Sequence, residues 1–160
     1  MIYNFIGQPH AGKTTLANHL KNVLENAYRE KDPETTKRCI IVDGDVLRNI
    51  LNNKDFSEEG RRYNINQAYN IAKFLDADYN FDVIIAVVSP FLDLRERLKK
   101  ETDVVEIYVH TSNIRGRENF HVPYFEKPER NFIDIDTTDV DELTTMNELL
   151  TKIEEICQLN

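Results

Sequence analysis

Gly7-Gln8-Pro9-His10-Ala11-Gly12-Lys13-Thr14 fits the pattern GxxxxGK[ST]. That spacing serves one kind of chemistry: holding the phosphates of a nucleoside triphosphate such as ATP. Gly7 and Gly12 let the backbone turn so that successive N–H groups point inward at anionic oxygens. Gln8, Pro9, His10 and Ala11 form the variable part of the loop, and Thr15 follows it into a helix whose positive end faces the same anion. Lys13 would reach the β- and γ-phosphates, and the Thr14 hydroxyl would ligate Mg²⁺. His10 is read as a spectator rather than a proton carrier.

A second constellation follows the apolar run Ile40-Ile41-Val42: Asp43-Gly44-Asp45, then Arg48. Carboxylates at the carboxyl end of a parallel strand face the crevice where ligands bind in open α/β sheets. One of the pair could hold hydrated Mg²⁺ and the other accept a proton from an attacking hydroxyl. Alone, Asp-Gly-Asp would be a helix cap and a turn; beside a phosphate loop the functional reading is preferred. Further on, Arg61 and Asn64 lie one helical turn apart, on one face, just after Phe56. They suit an anionic nucleotide whose base stacks on Phe56. Without their neighbours they would be an exposed polar helix and a core aromatic.

These residues need a scaffold, and the chain supplies short apolar strands alternating with longer helical patterns. Strands are expected at Ile2–Ile6, Cys39–Val42, Val83–Val88, Val104–Val109 and Phe132–Ile135. Helices are expected at about Lys13–Arg29, Asp45–Leu51, Ser57–Asp78, Phe91–Lys100 and Val140–Gln158. The last is given Asp139 as its cap and Val140, Leu143, Leu150, Ile153 and Cys157 as its apolar face. Ser57 and the glutamates after it suit a helix start, although Gly60 leaves no capping box. Runs such as Ile84-Ile85-Ala86-Val87-Val88 do not alternate with polar residues, as strands covered on both faces should not. The fold class is α/β: a parallel sheet with helices on each side. Residues 111–130 break the alternation; a long irregular stretch suits a lid over the substrates, or a surface excursion packing its aromatics on the core.

One hundred and sixty residues suit a single domain. A net charge of −8 and a pI near 5.0 argue against a general nucleic-acid binder. No apolar run reaches transmembrane length, and Met1 is followed at once by a strand, leaving no room for a signal peptide. Cys39 and Cys157 lie far apart without metal-ligand spacing and are read as buried thiols in a reducing cytosol rather than a disulfide.

The stretches GQPHAGKTTLA, VDGDVLRNIL, FSEEGRRYNI, VVSPF and PYFEKPERNFIDIDTT, in that order, resemble the adenylylsulfate (APS) kinase family. The resemblance implies a three-layer P-loop kinase fold around a central parallel sheet. It also implies Mg²⁺-dependent transfer of the γ-phosphate of ATP to the 3′-hydroxyl of adenosine 5′-phosphosulfate. Asp45 would be the base or orienting carboxylate, with Asp43 supporting it or Mg²⁺. Arg48, Arg61 and Asn64 would hold the ribose and the anionic end of the acceptor, and Phe56 would stack on its base. Ser89 matches a serine that takes up phosphate in some family members, although direct in-line transfer past Lys13 and Mg²⁺ is simpler. Arg95 matches the arginine of the family's SPxxxxR stretch. Ile114-Arg115-Gly116 is similar to the family's IKG element, which makes Arg115 a lid cation, and Phe120 is the candidate for a second base-stacking aromatic. A cytoplasmic enzyme of sulfate assimilation, acting on small nucleotides and often a homodimer, is the expected setting.

The departures concern the acceptor side. Val109-His110-Thr111-Ser112-Asn113 runs almost straight into Ile114-Arg115-Gly116, without the charged helical segment of the usual family lid. Gly60 stands in place of an acidic residue and Asn66-Gln67 in place of a basic pair. A kinase for another nucleotide, such as cytidine 5′-diphosphoramidate, is therefore the alternative. A nucleotide-binding module without catalysis is a third reading, which retention of Lys13, Thr14, Asp43 and Asp45 disfavours.

Overall fold

Strands β1 (Ile2–Ile6), β2 (Cys39–Asp43), β3 (Asp82–Ala86), β4 (Val104–His110) and β5 (Ile133–Asp136) lie parallel in the order β2-β3-β1-β4-β5. They belong to a computed structural model describing residues 1–113, 116 and 118–158, without the side chains of Glu118, Cys157 and Gln158. β1 is central, with Asn4 paired to Ile85 on one side and Glu106 on the other. Helices cover both faces, so β1 and β3 are buried along their whole length, while the edge strand β5 alternates, with Ile133 and Ile135 buried and Asp134 and Asp136 exposed. On one face Tyr3, Phe5, Ile84 and Ile107 pack against α1 (Lys13–Lys31) and α5 (Glu142–Gln158). On the other, Ile2, Val83 and Ile85 meet α2 (Gly44–Ile50), α3 (Glu58–Tyr79) and α4 (Leu92–Glu101). This is the three-layer α/β arrangement of P-loop kinases, with every strand delivering its carboxyl end to one edge.

Two expectations need correction. The final helix begins at Glu142, and its cap is Asp141, whose Oδ1 accepts from Thr144 N at 3.0 Å. Asp139 lies in the left-handed region at φ 53, in the turn before it. The buried stripe is accordingly Met146, Leu149 and Ile153, while Leu143 is 72% exposed. The third strand also ends earlier than expected, at Ala86, although Val87 N still bonds Phe5 O and Gly7 N bonds Val88 O, both at 3.3 Å. That extension carries the chain to Ser89 at the edge of the site.

Cys39 is a buried free thiol, which burial pushes up to about 12. No helix among the described residues is long and apolar enough to cross a membrane.

Candidate active site

The loop after β1 has the shape its glycines allow. Gly7 sits at φ 138, and a Cβ there would lie 2.0 Å from Val109 O, inside the neighbouring strand. His10 and Gly12 also have positive φ, 62 and 104. Gly12 makes no side-chain cap for α1, so the first N–H groups of that helix are available to an anion. Lys13 folds back and donates from Nζ to Gln8 O at 2.7 Å. Burial lowers it to about 8, against the upward pull of Asp45 and Asp43. Thr137 pins the loop from outside, donating from Oγ1 to Ala11 O at 3.0 Å.

Asp43 ends β2 and does two things at once. Its Oδ1 accepts from Asp45 N at 2.9 Å and Val46 N at 3.1 Å, capping α2. Its Oδ2 accepts from the Thr14 hydroxyl at 3.1 Å, which ties the second strand to the phosphate loop. One oxygen of this carboxylate thus fits the helix-cap reading, while the other faces the phosphate loop. Asp45, in the first turn of α2, lines the cleft with Lys13 and Thr14.

The cleft measures about 540 Å³ and gathers most of the residues singled out from sequence: Pro9, His10, Gly12, Lys13, Thr14, Thr15, Asp43, Asp45, Arg48, Phe56, Arg61, Asn64, Ser89 and Phe120. Gly7 does not line this cleft, and Gln8 and Ala11 line a second pocket. Arg115 lies outside the described residues.

The wall away from the loop is built around Phe56, 55% exposed, with Arg48 over its ring at 4.3 Å and Arg61 at 5.6 Å. Arg48 is anchored to Asp55 O at 2.7 Å and Arg61 to Phe56 O at 3.0 Å. Burial, then the like charge of Arg61, lowers the pKa of Arg48, a strain that an anion between the two cations would relieve. Asn64 lines the cleft and donates to Gly44 O at 3.3 Å, while its buried Oδ1 has no protein partner among the described residues, an acceptor that a ligand hydroxyl or amine would satisfy.

Gly60 is what lets this wall close. A Cβ there would stand 2.4 Å from both Asp55 Cγ and Asp55 O, and Ser57 Oγ caps Gly60 N at 3.2 Å. Gly60→Ala is expected to cost about 1–3 kcal/mol through overpacking against backbone, read as a lowered midpoint in denaturant. An unchanged midpoint would mean that the Asp55 loop yields freely.

Ser89 turns inward. At φ 42 and 1% exposed, its hydroxyl lies 2.7 Å from Tyr69 OH, itself 3.3 Å from Asn4 Nδ2. Burial pushes the Tyr69 phenol up to about 12, so it stays protonated. Arg95, fully buried, donates to Ser89 O at 2.8 Å and to Glu126 O at 2.6 Å, with its Nε 3.4 Å from Glu106 Oε2. Burial raises Glu106, opposed by Lys99 and Arg95.

Sequence reasoning missed Tyr69, Glu106, Val122 and the use of the Gln8 side chain. Glu106 had a signal, a single acid inside the apolar run Val104-Val105-Glu106-Ile107-Tyr108-Val109. The irregular segment is partly fixed: Tyr124 stacks on Phe91 at 5.9 Å, Phe125 on Tyr108 at 5.8 Å, and Glu126 N bonds Pro90 O at 2.9 Å. From Val122 to Glu126 it therefore packs on the core, while Phe120, 59% exposed, lines the cleft.

A family profile described as adenylylsulphate kinase matches residues 1–122. The adenylyl-sulfate kinase of Burkholderia ambifaria is 40% identical over 94 residues, which are 58% of this chain and 47% of that protein. The cytidine diphosphoramidate kinase of Campylobacter jejuni is 27% identical over 135 residues, 81% of this chain and 74% of that protein. The structure of the Mycobacterium tuberculosis APS kinase CysC in complex with AMPPNP and APS is similar with a TM-score of 0.75, over 96% of each chain and at 20% identity, a likeness of fold. The chain spans about half the length of several curated adenylyl-sulfate kinases that it matches. Because the profile takes in the phosphate loop, the Asp43–Asp45 turn, the Phe56–Asn64 wall and Ser89, the chain belongs to the adenylylsulphate kinase family.

Proposed function

We propose that residues 1–160 form one kinase domain, with 111–130 as its lid-like arm, that moves the γ-phosphoryl group of ATP to the 3′-hydroxyl of adenosine 5′-phosphosulfate. The observation that carries this is a single cleft holding Lys13, Thr14 and Asp45 at one end and Phe56 between two arginines at the other. The acceptor's base would lie on Phe56, its anionic end between Arg48 and Arg61, and its ribose against Asn64 Oδ1. Asp45 would orient the 3′-hydroxyl and take its proton. Thr14 Oγ1 and Asp43 Oδ2, 3.1 Å apart, are the hard oxygen donors that Mg²⁺ prefers. When bound there, Mg²⁺ supplies charge neutralisation for the phosphate oxygens. Lys13 would leave Gln8 O to meet the same oxygens.

The inward Ser89 hydroxyl supports direct transfer without a phosphoserine. After incubation with ATP alone, mass spectrometry is expected to find Ser89 unmodified. Stoichiometric phosphate on Ser89, discharged on adding acceptor, would overturn direct transfer.

The second reading, cytidine 5′-diphosphoramidate as acceptor, is favoured by the Campylobacter relative and by the short run from Val109 to Gly116. A coupled assay with Mg-ATP and each acceptor decides between them. ADP release with the adenosine compound is expected. Release with the cytidine compound alone would reassign the acceptor, and release with neither, although an ATP analogue binds, would favour a non-catalytic module.

A further inference from the structure

Gln8 stands second in the phosphate loop, and its two ends do different work. The backbone carbonyl accepts the Lys13 ammonium at 2.7 Å, inside the loop. The side chain leaves the loop and pairs with the backbone of Val122. Its Nε2 donates to Val122 O at 2.8 Å, and Val122 N donates to its Oε1 at 2.9 Å. A carboxamide carries a donor and an acceptor in one plane, so it can pair as a neighbouring strand's peptide would. Val122 is buried, where an N–H left without an acceptor is costly.

Val122 also opens the fixed part of the arm. Phe125 N donates to Val122 O at 3.2 Å, closing a turn, and the next residue is bonded to Pro90 O. Two positions before Val122, Phe120 lines the same cleft as Phe56. One side chain therefore joins the loop shaped to take donor phosphates to the backbone that presents an aromatic on the acceptor wall.

We propose that Gln8 is a positioning residue that locks Val122, and through it Phe120, to the conformation of the phosphate loop, so that a triphosphate in the loop organises the wall met by the acceptor. The acceptor half of this statement rests on the function proposed above; the lock itself does not. Such coupling is reciprocal, and the acceptor would tighten ATP by the factor with which ATP tightens the acceptor.

The test compares the full chain with Gln8→Met, which keeps length and loses both bonds, and Gln8→Glu, which keeps an acceptor but sets an anion against Val122 O. Amide exchange of Val122 is followed by NMR with and without a non-hydrolysable ATP analogue and Mg²⁺. The analogue is expected to slow exchange about tenfold or more in the native chain and less than about twofold in both variants. The core amides of Ile85 and Ile107 serve as the control that each variant is folded. In steady state the acceptor KM at saturating ATP and the ATP KM at saturating acceptor should both rise about tenfold in the variants, more steeply than 1/kcat, while binding of the ATP analogue alone stays within about twofold of native. Equal slowing in native chain and variants, or an ATP analogue that binds alone as much more weakly as the acceptor KM rises, would overturn the lock. If the native chain binds the analogue but phosphorylates no nucleotide, the functional proposal fails, and the exchange comparison still decides the role of Gln8.

Discussion

Asp45→Asn is expected to lower kcat about a thousandfold, near the middle of what a positioned general base contributes. That is roughly 4 kcal/mol of transition-state stabilisation. The substitution is clean because Asp45 serves the fold through its backbone: its N–H bonds Asp43 Oδ1, and an asparagine leaves that bond and the start of α2 in place. What is lost is a charge facing the cleft. The same charge is the larger of the two that hold Lys13 up against its burial, so the variant lets the Lys13 pKa fall further below about 8. Binding of an ATP analogue should therefore be compared near pH 6.5, where Lys13 stays protonated in both proteins, and is expected to stay within a few-fold of native. Turnover within about tenfold of native would remove Asp45 from the chemistry, since a general base is worth at least about a hundredfold.

How much of this was legible beforehand depended on whether the signal was local. The phosphate loop is a fixed spacing in eight consecutive residues, and Asp43 and Asp45 end a strand marked by its apolar run, so both could be placed from sequence. The inner strands β1 and β3 were legible because sandwiching between helix layers leaves them largely apolar on both faces. The start of the last helix was not. Val140 and Leu143 continue the helical spacing, but the side chain of Asp141 binds Thr144 N and starts the helix later, which moves the buried stripe to Met146, Leu149 and Ile153. Capping, rather than hydrophobic period, decided that register. The pairs Gln8–Val122 and Tyr69–Ser89 join elements distant in the chain through single side chains, and no period or composition announces such bonds. Ser89 shows the consequence. Family resemblance marks it for phosphate chemistry, while a tyrosine twenty positions earlier holds its hydroxyl in the core.

Lys13→Met is expected to lower kcat/KM for ATP about a thousandfold or more, because under the proposed function the ammonium would meet charge on the moving phosphoryl group. The same substitution should stabilise the nucleotide-free protein near neutral pH. Lys13 has a folded pKa of about 8 against an ordinary 10.5, because burial disfavours its charge more than Asp45 and Asp43 favour it. A base with a depressed folded pKa destabilises the native state fully below that value. The penalty lifts as pH rises from about 8 towards 10.5, where the unfolded chain still holds the proton and the folded one does not. The penalty is on the order of 3 kcal/mol at pH 7, and methionine, similar in length and uncharged, escapes it. Denaturant unfolding without nucleotide should therefore find the variant more stable at pH 7 and the two proteins converging by about pH 10. For the native chain, calorimetry at pH 8 in buffers of different ionisation enthalpy should show uptake of about half a proton per ATP bound, as the phosphates restore charge to a half-neutral lysine. If Lys13→Met is instead the less stable protein at pH 7, the bond to Gln8 O and the two aspartates outweigh burial. The lysine would then be a structural strut, and the loop would not be holding an unfavourable charge in readiness for phosphate.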